Sequence, residues 1–401
     1  MMGFLTSPRI CGGPGALEQL GALDLHRVAL VVDAALVGSP RLVRVRDQLA
    51  STEARVEEMP PIRAEPSLDV VTDLGRRFSA FGPDGIVAVG GGSTLDASKG
   101  AWVSSVRPEL DLAALTPLSE LGLRPRCRLV AVPTTAGSGS EANGLAQFHR
   151  SDGGAIVELS SRELEPDWAL LDPYFLGTLP PAQMAASGVD ALAHALEAIA
   201  SDWANPFTDA LAREAAGLLV RELPKGVRHP EELERAALLQ SAAAMAGLAA
   251  GNAQAGVVHA LAHALSATVP VTHARAVAPL LPPALEFNFS AAKERYAGLA
   301  GALGPGPVQS RTALGSRVRL FLEQVGAPRS LAEAGVAPSD LAARKGIVIE
   351  QALASPSLVG NPRMPTAEEL GAILAAATEG RELPPPASPR SAEPPVGPDP
   401  A

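Results

Sequence analysis

The character of this chain changes near Pro180, and that change constrains its fold more than any other feature. Before it, short apolar runs alternate with amphipathic stretches. RVALVVDAAL (27–36) begins as a buried strand with helical spacing after it at 41–50, and Val56 to Met59 reads as a second short strand. Ser67 to Phe81 is an amphipathic helix, and GIVAVGGGS (85–93) is a strand running into a glycine loop. Arg128 to Pro133 is a strand leading into TTAGSGSE, and Leu164 to Asp172 holds the last strand. Strand, loop and helix in alternation predict a parallel sheet with helices on its faces. After Pro180, Ala-rich runs with helical spacing dominate, at 181–202, 206–222, 230–249, 254–268, 275–289, 292–303, 308–325 and 366–378, and strand signals nearly vanish. The expected organisation is an α/β domain over 1–179 and an all-helical domain over 180–380. PPPASPRSAEPPVGPDPA, from Pro384, carries no apolar pattern, so 381–401 is expected to be a disordered Pro-rich tail.

The helical part concentrates the metal-binding side chains. Five of the seven histidines fall between 194 and 273. Asp190 and His194 stand four apart in GVDALAHALEAIAS, so both leave one helix face. His259 and His263 repeat the spacing in VVHALAHALS, and His273 follows in PVTHA. A single pair of this kind is commonly a surface hydrogen bond, but two pairs in apolar, Ala-rich helices need something to satisfy their buried polar atoms. A carboxylate with neutral imidazoles suits Fe(II), Zn(II) or a neighbouring first-row ion better than Mg(II) or Ca(II).

Two loops in the first part suit a phosphate. Gly90, Gly91, Gly92 and Ser93 follow a buried strand and open a helical run, so backbone N–H groups and a helix N-terminus can approach an anion closely. The run is neither the G-x-G-x-x-G fingerprint nor a P-loop. Pro133 to Glu141, with Thr134, Thr135 and Ser138, also follows a strand and belongs at the same end of the sheet. Asp33 ends the strand VALVVD; it can accept from ribose hydroxyls, favouring NAD over NADP, or simply cap a helix. Lys99 can meet a phosphate or pair with Asp96 across one helical turn.

The net charge of −10 argues against a nucleic-acid or anionic-membrane partner. Cys11 and Cys127 are too few for a disulfide framework or a thiolate zinc site. The longest uncharged stretch, from Ala236, is broken by Gln, Ser, Asn and His and makes a poor membrane span. No signal peptide is evident, so a cytoplasmic location is expected.

Taken together and in order, CGGPGALEQL, GGGSTLDASK, PTTAGSGSE, LDPYFLGTLPP, GVDALAHALEA, GNAQAGVVHALAH, LPPALEFN and NPRMPTAEEL resemble the iron-containing (group III) alcohol dehydrogenase family. The likeness runs from about Pro8 to Leu374. It implies a Rossmann-like nucleotide domain followed by a helical metal domain, the dehydroquinate synthase-like fold. By that resemblance Asp190, His194, His259 and His273 match the four metal ligands, and His263 matches a histidine beside the nicotinamide, a candidate to relay a proton, to orient the ring or to support the site. Gly90 to Ser93, Thr134, Thr135, Ser138 and Leu179 match cofactor-contacting positions. The implied activity is hydride transfer between NAD(P)(H) and an alcohol or aldehyde held at a divalent metal, Fe(II) or Zn(II), in a chain that can form a homodimer. Polyol oxidation or a dehydroquinate-synthase-like elimination on the same fold is the nearest alternative, and a non-catalytic protein retaining the fold is the alternative of another class. The chain departs from the family at Thr272-His273-Ala274, where Pro-His-Gly is common, and at Gly154 to Glu158, where many members carry a Lys.

Overall fold

Val28 to Val32, Ile86 to Val89 and Leu129 to Val132 are unbroken apolar runs, the pattern of strands covered on both faces. The computed structural model describes residues 4–385 except 5, 7, 116–118, 151, 153, 300, 301 and 305, so most of the expected tail, from residue 386, lies outside the described residues. The strands are Arg9–Gly12 (β1), Arg27–Val32 (β2), Arg55–Glu58 (β3), Gly85–Gly90 (β4), Arg128–Pro133 (β5), Leu145–Phe148 (β6), Val157–Ser160 (β7) and Trp168–Leu171 (β8). Six of them form a parallel sheet in the order β1-β8-β5-β4-β2-β3, and β6 and β7 pair as a separate antiparallel hairpin. Helix α1 (Pro40–Ala50) and the short 3₁₀ turn Ala16–Ala22 cover one face, packing Leu17, Leu20, Leu42 and Val45 on Val28, Leu30, Val87 and Val130. Helices α2 (Leu68–Phe81) and α3 (Gly92–Val106) cover the other through Val71, Leu74, Phe78, Leu95 and Trp102.

From Pro181 onward the described residues are helical and loop only: α4 (Pro181–Ala200), α5 (Pro206–Gly226), α6 (Leu233–Ala253), α7 (Val257–Thr268), α8 (His273–Asn288), α9 (Lys293–Ala297), α10 (Arg311–Val325), α11 (Pro338–Ala354) and α12 (Ala367–Glu379). Their core is Ala- and Leu-rich, with Phe287, Phe289, Tyr296 and Phe321 as its aromatic residues. Helix α6 reaches back to the sheet: Gln240 Nε2 donates to the carbonyls of Pro133 (3.1 Å) and Asp172 (3.3 Å), at the carboxyl ends of β5 and β8. The loop after β5 lies directly on α6. A Cβ built on Gly139, at φ +62°, would stand 2.4 Å from Gly247 Cα, so both positions require glycine.

Three elements depart from the sequence expectation. β1 adds an edge strand of four residues, too short to show an alternation. The β6–β7 hairpin fills the stretch after the Ser/Thr-rich loop. Helix α11, falling in the gap left between 325 and 366, buries only Leu341, Val348 and Ala352, too thin a stripe to read as a helical face.

Candidate metal and nucleotide site

Helix α4 is buried from Met184 to its end, and its periodicity puts Asp190 and His194 in the helical core, 4 % and 8 % exposed. Asp190 Oδ1 lies 3.4 Å from His259 Nε2, 3.5 Å from His273 Nε2 and 4.0 Å from His194 Nδ1. Asp190, His259 and His273 each bring one ligand atom within 4.8 Å of the others. His194 stands just outside that trio, its ring centroid 4.1 Å from that of His259. His263 lies beyond, 4.8 Å from His273 between centroids.

These groups fit a cation on a criterion internal to the structure. Asp190 Oδ1, His194 Nδ1 and His259 Nε2 are buried atoms with no hydrogen-bond partner, a costly arrangement unless an ion takes them. Burial pushes the Asp190 carboxyl up, yet His194, His259 and His273 outweigh it and hold the group well below the ordinary carboxylate range. Burial and the neighbouring His259 drive His194 down to about 3, which keeps its imidazole neutral. His259 moves the other way, to about 10, because Glu197 and Asp190 overcome the burial that would lower it. Two buried carboxylates thus ask for positive charge at one place.

Glu197 was not singled out in the sequence. It follows Asp190 by seven residues on the same face of α4, which was the available signal. Its Oε1 accepts from Val258 N (2.7 Å) at the start of α7, and its Oε2 bonds His259 Nδ1. One carboxylate therefore caps α7 and orients the imidazole, leaving His259 Nε2 toward Asp190. Glu65 was missed as well, and no local pattern marks it. At φ +54° it is one of two non-glycine residues with positive φ among the described residues. Its N–H donates to Ser93 Oγ (3.1 Å), its Oε1 accepts from His273 N (2.8 Å), and its Oε2 lies 3.6 Å from His149 Nε2. The glycine loop and the last histidine are joined through it.

A cavity of about 470 Å³ connects the two ends of the site. Asp33, Gly91, Gly92, Ser93, Thr135 and Ser138 line one end, and Asp190 and His273 the other. Gly91 is the N-cap of α3 and offers no side-chain acceptor, so that helix end is open to an anion. A Cβ on Gly92 would stand 2.8 Å from Ser138 Oγ, so the two loops meet only because Gly92 has none. Gly90 and Thr134 close the strand ends behind this wall, with Thr134 N donating to Gly90 O (3.0 Å). Leu179 packs against the helical core, and His194, His259 and His263 are not among the residues that line the cavity. Asp33 Oδ1 accepts from Ala35 N (2.9 Å) as a helix cap, and the residue borders the cavity.

The expectation for Lys99 needs correction. Its fully buried Nζ neither pairs directly with Asp96 nor reaches the cavity wall; it donates to the carbonyls of Asn143 (2.8 Å) and Leu145 (2.7 Å). The chain entering β6 crosses α3 and brings those oxygens closer than the carboxylate one turn away. Burial lowers Lys99 to about 8, against the pull of Asp96, Glu141 and Glu165. Asp96 instead accepts from Ser140 Oγ (2.5 Å) and Gln147 N (3.2 Å), pinning the Ser/Thr-rich loop and hairpin to α3.

Residues 7–173 match the family described as iron-containing alcohol dehydrogenase, and 184–378 match the C-terminal part of the Fe-containing alcohol dehydrogenase family. The chain is 34 % identical over 378 residues to a probable alcohol dehydrogenase EutG of Salmonella typhimurium, covering 93 % of this chain and 94 % of that one. It is 31 % identical to the 1-propanol dehydrogenase PduQ of the same organism, over 92 % of this chain and 98 % of the relative. Among solved structures, an iron-containing alcohol dehydrogenase from Thermococcus thioreducens superposes with a TM-score of 0.85 at 30 % identity, covering 94 % of this chain and all of the other. A 1,3-propanediol oxidoreductase superposes at 0.86 and 29 %, with the same coverage. A parallel sheet bearing a glycine loop, a helical half carrying a buried Asp/His cluster, and matches over both halves lead to one assignment: the chain belongs to the iron-containing alcohol dehydrogenase family, and is an alcohol dehydrogenase.

Proposed function

We propose that this enzyme transfers a hydride between a nicotinamide dinucleotide, NAD in preference to NADP, and a short alcohol or aldehyde held at a divalent metal on Asp190, His194, His259 and His273. The observation that carries the reading is the single cavity running from Gly91, Gly92 and Ser93 to Asp190 and His273, which lets a dinucleotide on the loop present its ring to the metal cluster. When bound, the cation, Fe(II) or Zn(II), supplies Lewis acidity toward the substrate oxygen and the dinucleotide takes or returns the hydride. The protein supplies the rest. Gly91 and the start of α3 hold phosphate oxygens, Thr135 and Ser138 add hydroxyl donors, and Asp33 accepts from a ribose and opposes a 2′-phosphate. Glu197 fixes the His259 ring, and His263 at the edge of the cluster accepts the hydroxyl proton. The relatives named for 1-propanol and 1,3-propanediol favour small, flexible substrates. The expected setting is a cytoplasmic homodimer, with no nucleic-acid or membrane partner; among the described residues no helix is long and apolar enough to cross a membrane.

The test is nucleotide absorbance on protein reconstituted separately with Fe(II) and Zn(II), over a panel of straight-chain alcohols and aldehydes with NAD(H) and NADP(H). Turnover with NAD(H) and a metal requirement are expected. Metal-loaded protein inert across the panel would overturn the proposal.

A further inference from the structure

Arg275 has no part in the scheme above, yet it is the only arginine or lysine on the wall of the cavity. It stands in the first turn of α8, two residues after His273, where the helix dipole is positive and a cation is unfavourable. The half-buried guanidinium is held from one side: Nε donates to the carbonyl of Ala334 (3.0 Å) and Nη2 to that of Glu333 (3.0 Å), both in the chain leading into α11. Among the described residues no carboxylate pairs with it, and Nη1 has no protein partner. Glu65, the acid that reaches the same turn, uses Oε1 to accept from His273 N and turns Oε2 toward His149. A cation at the wrong end of a helix, oriented by two carbonyls and lacking a counter-ion, fits a wall that waits for an anion.

Glu65 also fixes which end of the cavity Arg275 serves. Its N–H donates to Ser93 Oγ while Oε1 accepts from His273 N, so the first turn of α8 is tied to the glycine loop, and Arg275 approaches that tie from the helical half. The loop's own wall offers N–H groups and the hydroxyls of Ser93, Thr135 and Ser138, but no cation, because Lys99 is turned inside. The stretch 154–158, where the family commonly carries a Lys, brings only Ile156 to the wall. A pyrophosphate carries two negative charges, which N–H groups and hydroxyls solvate without neutralising. We propose that Arg275 binds a pyrophosphate oxygen of the dinucleotide from the helical half, supplying the charge that the glycine loop lacks. This rests on the hydride-transfer reading above.

The experiment titrates full-length, Zn(II)-loaded wild type, Arg275→Gln and Arg275→Lys with ADP-ribose, which carries the pyrophosphate without the nicotinamide. Calorimetry at about 50 mM and about 500 mM salt separates charge from shape. Arg275→Gln keeps a donor for the carbonyls of Ala334 and Glu333 and removes the charge. Its affinity at low salt is expected to fall about 10-fold, with metal stoichiometry unchanged and a shallower salt dependence than the wild type. Arg275→Lys recovers part of the affinity and the salt dependence. Wild-type affinity in Arg275→Gln overturns the proposal. A loss that keeps the wild-type salt dependence also overturns it and marks a merely structural group. So does a raised KM for a carboxylate-bearing alcohol with ADP-ribose affinity unchanged, which would assign the guanidinium to the substrate. If Arg275→Gln does not fold, the wild type carries the test: inorganic pyrophosphate should displace ADP-ribose and protect Arg275 from phenylglyoxal, mapped by mass spectrometry. Equal modification with and without pyrophosphate refutes the contact. A wild type that binds neither ADP-ribose nor NADH would sink the dinucleotide reading itself, whereas the variants test Arg275 alone.

Discussion

Asp190 is the residue on which the site turns, because one of its oxygens faces three imidazoles and none of the facing atoms has another partner in the cases of Oδ1, His194 Nδ1 and His259 Nε2. Such a cluster is set by what stands behind it. Glu197→Gln should lower metal affinity about 10- to 100-fold by loosening His259, and His259→Ala should abolish retention while nucleotide binding persists. Elemental analysis after dialysis, beside a nucleotide titration, checks both; full metal occupancy in His259→Ala would remove that residue from the site. The i, i+4 spacing of Asp190 with His194 made this cluster readable from the chain. Glu197 was readable by the same rule one further turn along, but an acid in an Ala-rich helix has so many solvated uses that spacing alone does not single it out. Glu65 was not readable, since its role arises from contacts with Ser93 and His273 that no local pattern encodes.

At the scale of elements, the seam between the loop after β5 and helix α6 is a backbone contact. Gly139 and Gly247 approach so closely that a Cβ on Gly247 would lie 2.6 Å from Gly139 Cα and O. Gly247→Ala should therefore force the loop off the helix and cost about 1–3 kcal/mol, with weaker nucleotide binding because Ser138 is on that loop; denaturant melts and a nucleotide titration of the variant measure the two effects, and a wild-type midpoint would refute the contact. The strands that carry the site, β4 and β5, were evident because burial on both faces leaves an unbroken apolar run. β1 and α11 were not, the first through brevity and the second because its apolar stripe is narrow and interrupted by charge. Helix α8, expected at 275–289 from its apolar spacing, forms over 273–288 despite Pro279, Pro282 and Pro283 within it, tertiary packing overriding their low propensity.

For the whole molecule, the charged groups packed beneath the Ser/Thr-rich loop tie stability to pH. Burial raises Glu141 to about 7, with Lys99 opposing and Asp96 adding to the shift. A carboxyl whose folded value exceeds its unfolded value near 4.5 binds a proton more tightly when folded, so its contribution is greatest below that value and declines as pH rises toward 7. The decline is about 3 kcal/mol for this group. Lys99, lowered to about 8, imposes its cost below that value and recovers as pH climbs toward 10.5. Glu141→Gln should flatten the first of these slopes, so its thermal midpoint should rise relative to the wild type between pH 5 and pH 8; parallel curves would show that Glu141 titrates normally.

The pairing of β1 with β8, Arg9 opposite Trp168, sets the first strand of the described residues beside the last strand of the parallel sheet. During synthesis that edge has no neighbour until more than 160 residues have left the ribosome. β1 can join the sheet only once β8, the strand it pairs with, has been made.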